Sequence, residues 1–292
     1  MTYQNFFVTL YRDNKTTTIM ITKYISYLRD IRNYSENTLI GYEKDLSAFS
    51  KWAKAHLDHA RWSEITRTDI DQYVHAMVAS GMKPSSTNRR LSAISGLYEY
   101  FKREGYQVEN PCKYESRRKV SKSLPNTINE EELRAAYENA AGVTKTMIGI
   151  LMSTGIRIQE MLDLSWEDID FTECSLRING KGAKQRVVYS TREILADLAF
   201  CKSQTNARGQ MFGIDQRTAR HMIFDALRPF CSAKQLSPHA IRHTWATHFA
   251  KMGANVSQIG TLLGHEHLET TQKYIDMCQH NHKEIVEQYS II

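Results

Sequence analysis

From Ile21 to about Glu109 the apolar side chains recur at three- and four-residue spacing: Tyr24, Tyr27 and Leu28, then Leu39, Tyr42, Leu46, Phe49 and Trp52. That is the period of an amphipathic helix, whose turn brings such positions onto one face. The pattern predicts an all-helical bundle of about four or five helices, broken where turn and cap residues cluster at 33–37, 63–68 and 81–87. The fourth helix is expected to begin near Ser86, which places Arg89 and Arg90 in its first turn. Basic groups there oppose the helix dipole; a bound phosphate and a solvated helix end are both readings of them.

Asn110-Pro111 ends this pattern, and the stretch from Lys113 through Arg117, Arg118, Lys119 and Lys122 is polar, basic and aperiodic. It reads as a linker, either a solvated tether or a strap along a polyanion. A second domain is expected from Asn129, a good N-cap followed by Glu130, Glu131 and Glu132 in the dipole-positive first turn. Inside that domain two β-prone runs, Leu176–Asn179 and Val187–Tyr189, flank an Asn179-Gly180 turn signal, and helices resume after Thr191. The fold class is therefore mainly α with a small β-sheet: residues 20–112 form a helical domain, 113–125 a basic linker, 126–292 a mixed α+β domain, and 1–19 an extension.

Composition narrows the partners. The 292 residues carry a formal charge of +6, which favours polyanions without proving one. No apolar run approaches the ~18 residues that would span a bilayer, and Arg12, Asp13 and Lys15 stand where a signal peptide needs apolar residues, so a cytoplasmic protein with no membrane partner is expected. Five scattered cysteines, never spaced as CxxC, suit a reducing compartment and argue against a zinc ribbon.

Three clusters carry chemistry. In Thr154-Gly155-Ile156-Arg157-Ile158-Gln159-Glu160, read as helical, Arg157 and Glu160 share a face three residues apart. In Ser237-Pro238-His239-Ala240-Ile241-Arg242-His243, Ser237 is an N-cap and Pro238 fits the first helical position. His239 and Arg242 then stand in a first turn that attracts anions, which suits a phosphate. His239 and His243 lack the glutamate of an HExxH metal helix. In Leu262-Leu263-Gly264-His265, Gly264 is a natural C-cap that leaves His265 at the helix mouth, with Tyr274 nine residues on in a further short helix. Alone, Tyr274 is one tyrosine among fifteen.

Together the boxes resemble the tyrosine recombinase (integrase) family, particularly its short Xer-like members. The matching segments are TGIRIQE around Arg157, NGKGAKQR around Lys181, HAIRHTWATH around His239 and Arg242, LGH at His265 and TTQKY ending at Tyr274, with Asn88-Arg89-Arg90-Leu91 matching in the first half. Residues 1–19 have no counterpart in that family. The resemblance implies a helical core-binding domain followed by a catalytic domain, and double-stranded DNA with a specific recombination site as partner. It implies Tyr274 as the nucleophile that takes the 3′ phosphate, with Arg157, Arg242 and His265 stabilising the scissile phosphate. His239 is then the base and Lys181 the acid for the leaving 5′ oxygen, with Lys184 as rival. Arg89, Arg90, Arg117, Arg118, Lys119 and Lys184 are the expected DNA contacts, and Glu160 orients a catalytic side chain.

Rejoining needs no ATP and the chain has neither a GxxxxGK[ST] loop nor a carboxylate cluster for Mg²⁺, so no cofactor is expected. Cys278, His280 and His282 lack a fourth ligand and read as part of a polar tail. That tail, roughly His282 to Tyr289, packs on its own domain or into a neighbouring protomer of a DNA-bound tetramer. A type IB topoisomerase and a catalytically silent DNA-binding relative are the alternatives. If 117–119 is a strap, replacing Arg117, Arg118 and Lys119 by Ala lowers the slope of log affinity against log salt by about two to three units. An unchanged slope in a binding titration makes the segment a tether.

Overall fold

In the computed structural model the described residues are 14–57, 61–113, 117–119, 125–180, 185–205, 209–265 and 267–278, with side chains at 14–17, 201, 203–205 and 278 excepted. Lys181, Lys184, His280, His282 and the tail to Tyr289 lie outside them, as does Cys278 apart from its backbone. The chain divides into two units, one through Lys122 and one from Ser123.

In the first unit the apolar spacing produces four α-helices among the described residues: α1 (Asn14–Asp30), α2 (Glu36–His56), α3 (Arg67–Ala79) and α4 (Pro84–Arg103). Their apolar faces meet in one core, where Leu46, Phe49, Trp62, Leu97, Tyr98 and Phe101 are all fully buried. Burying side chains of this size is worth roughly 1.5–3 kcal/mol each, which holds the bundle where helix propensity alone would not. Trp62 packs against Phe49, Tyr98 and Phe101 at 5.8–6.0 Å between ring centroids. The turn into α3 is fixed by a capping box, Thr66 Oγ1 accepting from Asp69 N while Asp69 accepts from Thr66 N.

Helix α4 starts earlier than its sequence suggests, because Pro84 takes the first helical position behind Lys83. Arg89 and Arg90 therefore sit in the second turn, where the dipole penalty is weaker, and a protein anion answers them. Both reach the Asp45 carboxylate on α2, which is 1% exposed. Arg90 also donates to Tyr73 Oη at 3.0 Å and Arg89 to Gly41 O at 3.1 Å. Part of the basic segment lies against the same helix: Asn88 exchanges two 2.9 Å hydrogen bonds with the Arg118 backbone, and the Arg117 side chain donates to Asn88 O.

The second unit runs α5 (Glu130–Asn139), α6 (Gly142–Thr154), α7 (Ile158–Leu162), β1 (Ile169–Asp170), β2 (Ser175–Asn179), β3 (Gln185–Tyr189), α8 (Arg192–Thr205), α9 (Gln216–Leu227), α10 (Pro238–Lys251), α11 (Val256–Leu263) and α12 (Glu269–Cys278). The hairpin is antiparallel with Leu176 opposite Val188 and Ile178 opposite Arg186. A two-residue β1, too short to leave a sequence pattern, adds a third strand. Met147, Ile148, Ile150 and Leu151 make α6 the apolar centre of this unit. Asn129 and Ser237 cap α5 and α10 as their sequences require. No helix among the described residues is long and apolar enough to cross a membrane.

The segment around Arg157 departs from the continuous helical reading. Helix α6 stops at Thr154 because Gly155 adopts a left-handed φ of +64°, and Arg157 becomes the residue before α7. The stop is reinforced by packing. A Cβ on Gly155 would lie 2.7 Å from the Trp245 ring, which is itself tied by Nε1 donating to Ser153 O at 3.0 Å. Gly155→Ala is therefore expected to cost about 2 kcal/mol from the left-handed backbone and the overlap together. Urea denaturation measures this, and an unchanged stability contradicts it.

Candidate active site

The site forms where four segments of the second unit converge: the α6–α7 turn, strand β3, the first turns of α10, and the region from the end of α11 into α12. Helix α11 ends at Gly264 with φ +64°, leaving its last carbonyls without helical partners. Arginines supply the missing donors. Arg186 Nε donates to Leu262 O at 3.0 Å, and Arg242 donates to Leu263 O at 2.8 Å. Arg157 donates to Leu263 O at 3.4 Å and to Gly264 O at 3.1 Å. The negative end of a helix dipole thus offsets part of the repulsion among three clustered cations.

Glu160 supplies the rest of the compensation. Its carboxylate accepts from Arg157 N at 2.8 Å, from the Arg157 guanidinium at 2.8 Å, and from both terminal nitrogens of Arg186 at 3.0 and 2.8 Å. Burial pushes this carboxyl up, but the hydrogen bonds from Arg186 and the Arg157 backbone, with both guanidinium charges, outweigh it and hold it below the usual carboxylate range. Arg242, 4% exposed, also donates to Gly155 O at 2.8 Å. Its burial, followed by the charge of Arg157, lowers its pKa to about 10, so it stays charged at neutral pH.

Tyr274 lies beside this group, 1% exposed, in a small cluster with Trp245, Ile259 and Leu263. Its hydroxyl is 2.8 Å from Nδ1 of His243. Burial, then Lys273, His239 and Arg242, push the His243 pKa down to about 4, so the ring is neutral. Burial raises the tyrosine pKa more than Arg242 and Arg157 lower it. Hence the phenol keeps its proton, and the 2.8 Å contact joins two uncharged partners. His265 is likewise depressed to about 4, by burial and then by Arg242 and Arg157, and its Nδ1 meets Thr271 Oγ1 at 2.7 Å. His239 presents an exposed edge in the first turn of α10. The buried part of its ring, then Arg242, Arg220, Arg157 and Lys273, lower its pKa too.

The structure therefore brings Arg157, Arg242, His239, His265 and Tyr274 into one unit around one charge cluster. Two further side chains, His243 and Arg186, stand in this cluster without having been expected as site residues. His243, and not His239, touches the nucleophile candidate; the sequence signal was its place beside Arg242, one helical turn beyond His239. Arg186 shares the inward face of β3 with buried Val188, and a charged residue at an inward strand position needs a buried partner. A cleft of about 910 Å³ opens beside these groups, lined by Arg157, Glu160, Arg186, His265, Asn179 and Gly180 among others. Permanently charged forks, neutral imidazoles and a phenol suit attack on a phosphodiester, where negative charge accumulates on nonbridging oxygens.

The comparisons with known proteins agree with that chemistry. Residues 126–281 match the model of the Phage integrase family, and residues 21–105 that of its N-terminal SAM-like domain. Tyrosine recombinase XerC of Staphylococcus aureus (strain bovine RF122 / ET3-1) is 28% identical over 270 residues, covering 86% of this chain and 89% of that relative. Among solved structures, XerH site-specific recombinase bound to palindromic difH substrate gives a TM-score of 0.76 at 16% identity, over 98% of this chain and 99% of that one. A lambda integrase dimer bound to a COC′ core site gives 0.68 at 17% identity, over 88% and 76%. With a family match over more than half its length and the arginine, histidine and tyrosine set gathered in the matched unit, the chain belongs to the phage integrase family of tyrosine recombinases.

Proposed function

We propose that this chain is a site-specific DNA recombinase that cuts and rejoins strands through a 3′-phosphotyrosyl intermediate. The observation that carries the reading is the Tyr274 hydroxyl, hydrogen-bonded to a neutral imidazole beside Arg157 and Arg242. The Tyr274 oxygen forms a bond to phosphorus, its proton passes to a histidine, and the P–O bond to the 5′ oxygen breaks. Arg157 and Arg242 face the charge that develops on the nonbridging oxygens, with His265 as a further donor. Lys181 protonates the departing 5′ oxygen, with Lys184 the rival for that task. Because the phosphotyrosyl bond retains the energy of the broken linkage, a 5′ hydroxyl reverses the step without a nucleotide or metal cofactor.

His243, already hydrogen-bonded to the hydroxyl, is the acceptor in this reading, and His239 in the first turn of the same helix is the rival for the role. Movement is required: a phosphate cannot reach a hydroxyl whose residue is 1% exposed, so DNA binding uncovers Tyr274. Arg89, Arg90, Arg117, Arg118 and Lys119 contribute backbone contacts through the donors that Asp45 and Asn88 leave over. XerH bound to its difH substrate and the lambda integrase dimer bound to its COC′ core site support duplex DNA as partner, and a tetramer acting on cytoplasmic DNA is the assembly proposed with it.

The test uses a nicked duplex carrying a site selected from a randomised library by binding to the chain. The wild type is expected to accumulate a covalent adduct, and Tyr274→Phe to bind equally but form none; an undiminished adduct from Tyr274→Phe overturns the proposal. Exchange of strands between two duplexes separates recombination from topoisomerase-like relaxation. The pH profile checks the acceptor. If His243 accepts the proton in the surroundings that hold it near about 4, cleavage by the wild type stays level down to about pH 5 and falls below it. A fall already centred near the ordinary imidazole value of about 6.5 contradicts His243 as acceptor.

A further inference from the structure

Arg186 spends its guanidinium inside the protein. Its Nε donates to Leu262 O at 3.0 Å, and its two terminal nitrogens donate to the two oxygens of Glu160 at 3.0 and 2.8 Å. Its side chain is 14% exposed and that of Glu160 8%, whereas Arg157, on the other side of the same carboxylate, is 40% exposed. One arginine is thus fastened and the other faces the cleft, with Glu160 between them. The fastening also sets the α11 turn. A Cβ on Gly264 would lie 2.8 Å from Arg186 Nη1, so guanidinium and turn occupy adjoining space, and Gly264 O is one of the acceptors that orient Arg157.

We propose that Arg186 is a positioning residue for phosphate attack: it locks the Glu160 carboxylate and the Leu262–Gly264 turn in the arrangement that aims the Arg157 guanidinium. The proposal rests on the recombinase reading above. Without Arg186, Glu160 is a buried carboxylate with only Arg157 as cation, free to rotate and to draw that guanidinium fully onto itself. The loss then falls on stabilisation of the nonbridging oxygens. Binding is untouched, because the Arg186 donors are already committed to protein acceptors. A lysine cannot replace the fork, since one ammonium does not span both Glu160 oxygens and Leu262 O.

Single-turnover cleavage of the selected nicked duplex by wild type and Arg186→Gln, with a parallel duplex whose scissile phosphate is a methylphosphonate, tests this. A methylphosphonate carries no nonbridging charge for Arg157 to neutralise. Arg186→Gln is expected to cleave the phosphodiester about 10- to 100-fold more slowly, as losses of orienting partners usually do, with unchanged DNA affinity. The deficit should shrink to a few-fold on the methylphosphonate. Glu160→Gln is expected to show the same substrate dependence, and the double variant to be no slower than the worse single one. Should Arg186→Gln not fold, Arg186→Lys keeps the charge and serves in its place, with the same expectation. An equal deficit on both substrates, or undiminished cleavage of the phosphodiester, overturns the proposal. Relief on a 5′-phosphorothiolate substrate instead would also overturn it, by placing the effect on the leaving group. A wild type that forms no adduct at all sinks the recombinase reading, which is a separate outcome.

Discussion

Helix α11 ends in three carbonyls that its own backbone cannot satisfy, and around them the second unit brings three guanidiniums together. Arg186 holds Leu262 O, Arg242 and Arg157 hold Leu263 O, and Arg157 holds Gly264 O. Like charges this close repel, so the cluster exists only because a helix C-terminus and the Glu160 carboxylate compensate it. The left-handed Gly264 makes this possible by ending the helix with its carbonyls directed at the arginines. Gly155 does the corresponding work on the other side, ending α6 so that its carbonyl receives Arg242 and Arg157 begins α7. Two glycines with positive φ thus set where the positive charge stands.

The same charge shapes the acid–base groups. His243 and His265 are neutral because they are buried and because cations surround them, so they can donate or accept a hydrogen bond without adding to the repulsion. Tyr274 shares this environment with the opposite consequence. Burial keeps its proton on, and the nearby arginines only partly counter that. A hydroxyl held protonated and covered is quiescent, and in the proposed reaction a phosphate that engages the arginines supplies both the substrate and the reason to uncover it.

Much of this was legible in the chain. Helix periodicity located the first unit's core, and Asn129, Ser237 and Gly264 announced helix ends that the structure contains. The motifs that resemble the family name Arg157, His239, Arg242, His265 and Tyr274 together. What escaped follows from the range of the interactions. The break at Gly155 depends on Trp245, ninety residues away in the chain, so local spacing around Arg157 read as continuous helix. Arg186 and His243 matter through partners on other elements, Glu160 and Tyr274, and only tertiary packing brings these together. Likewise the pairing of Arg89 and Arg90 with Asp45 joins α4 to α2, and no pattern within α4 could indicate it.

Central to the proposed reaction is a covalent bond from the Tyr274 oxygen to the 3′ phosphate of the cut strand. The most direct measurement digests the protein–DNA adduct with trypsin and nuclease and reads the modified peptide by mass spectrometry, while end-labelling reports the chemistry of the free DNA end. The account predicts a 3′-nucleotide phosphate on Tyr274 and a free 5′ hydroxyl on the departed strand. A linkage through any other residue, or a 5′-phosphate on the departed strand, contradicts it.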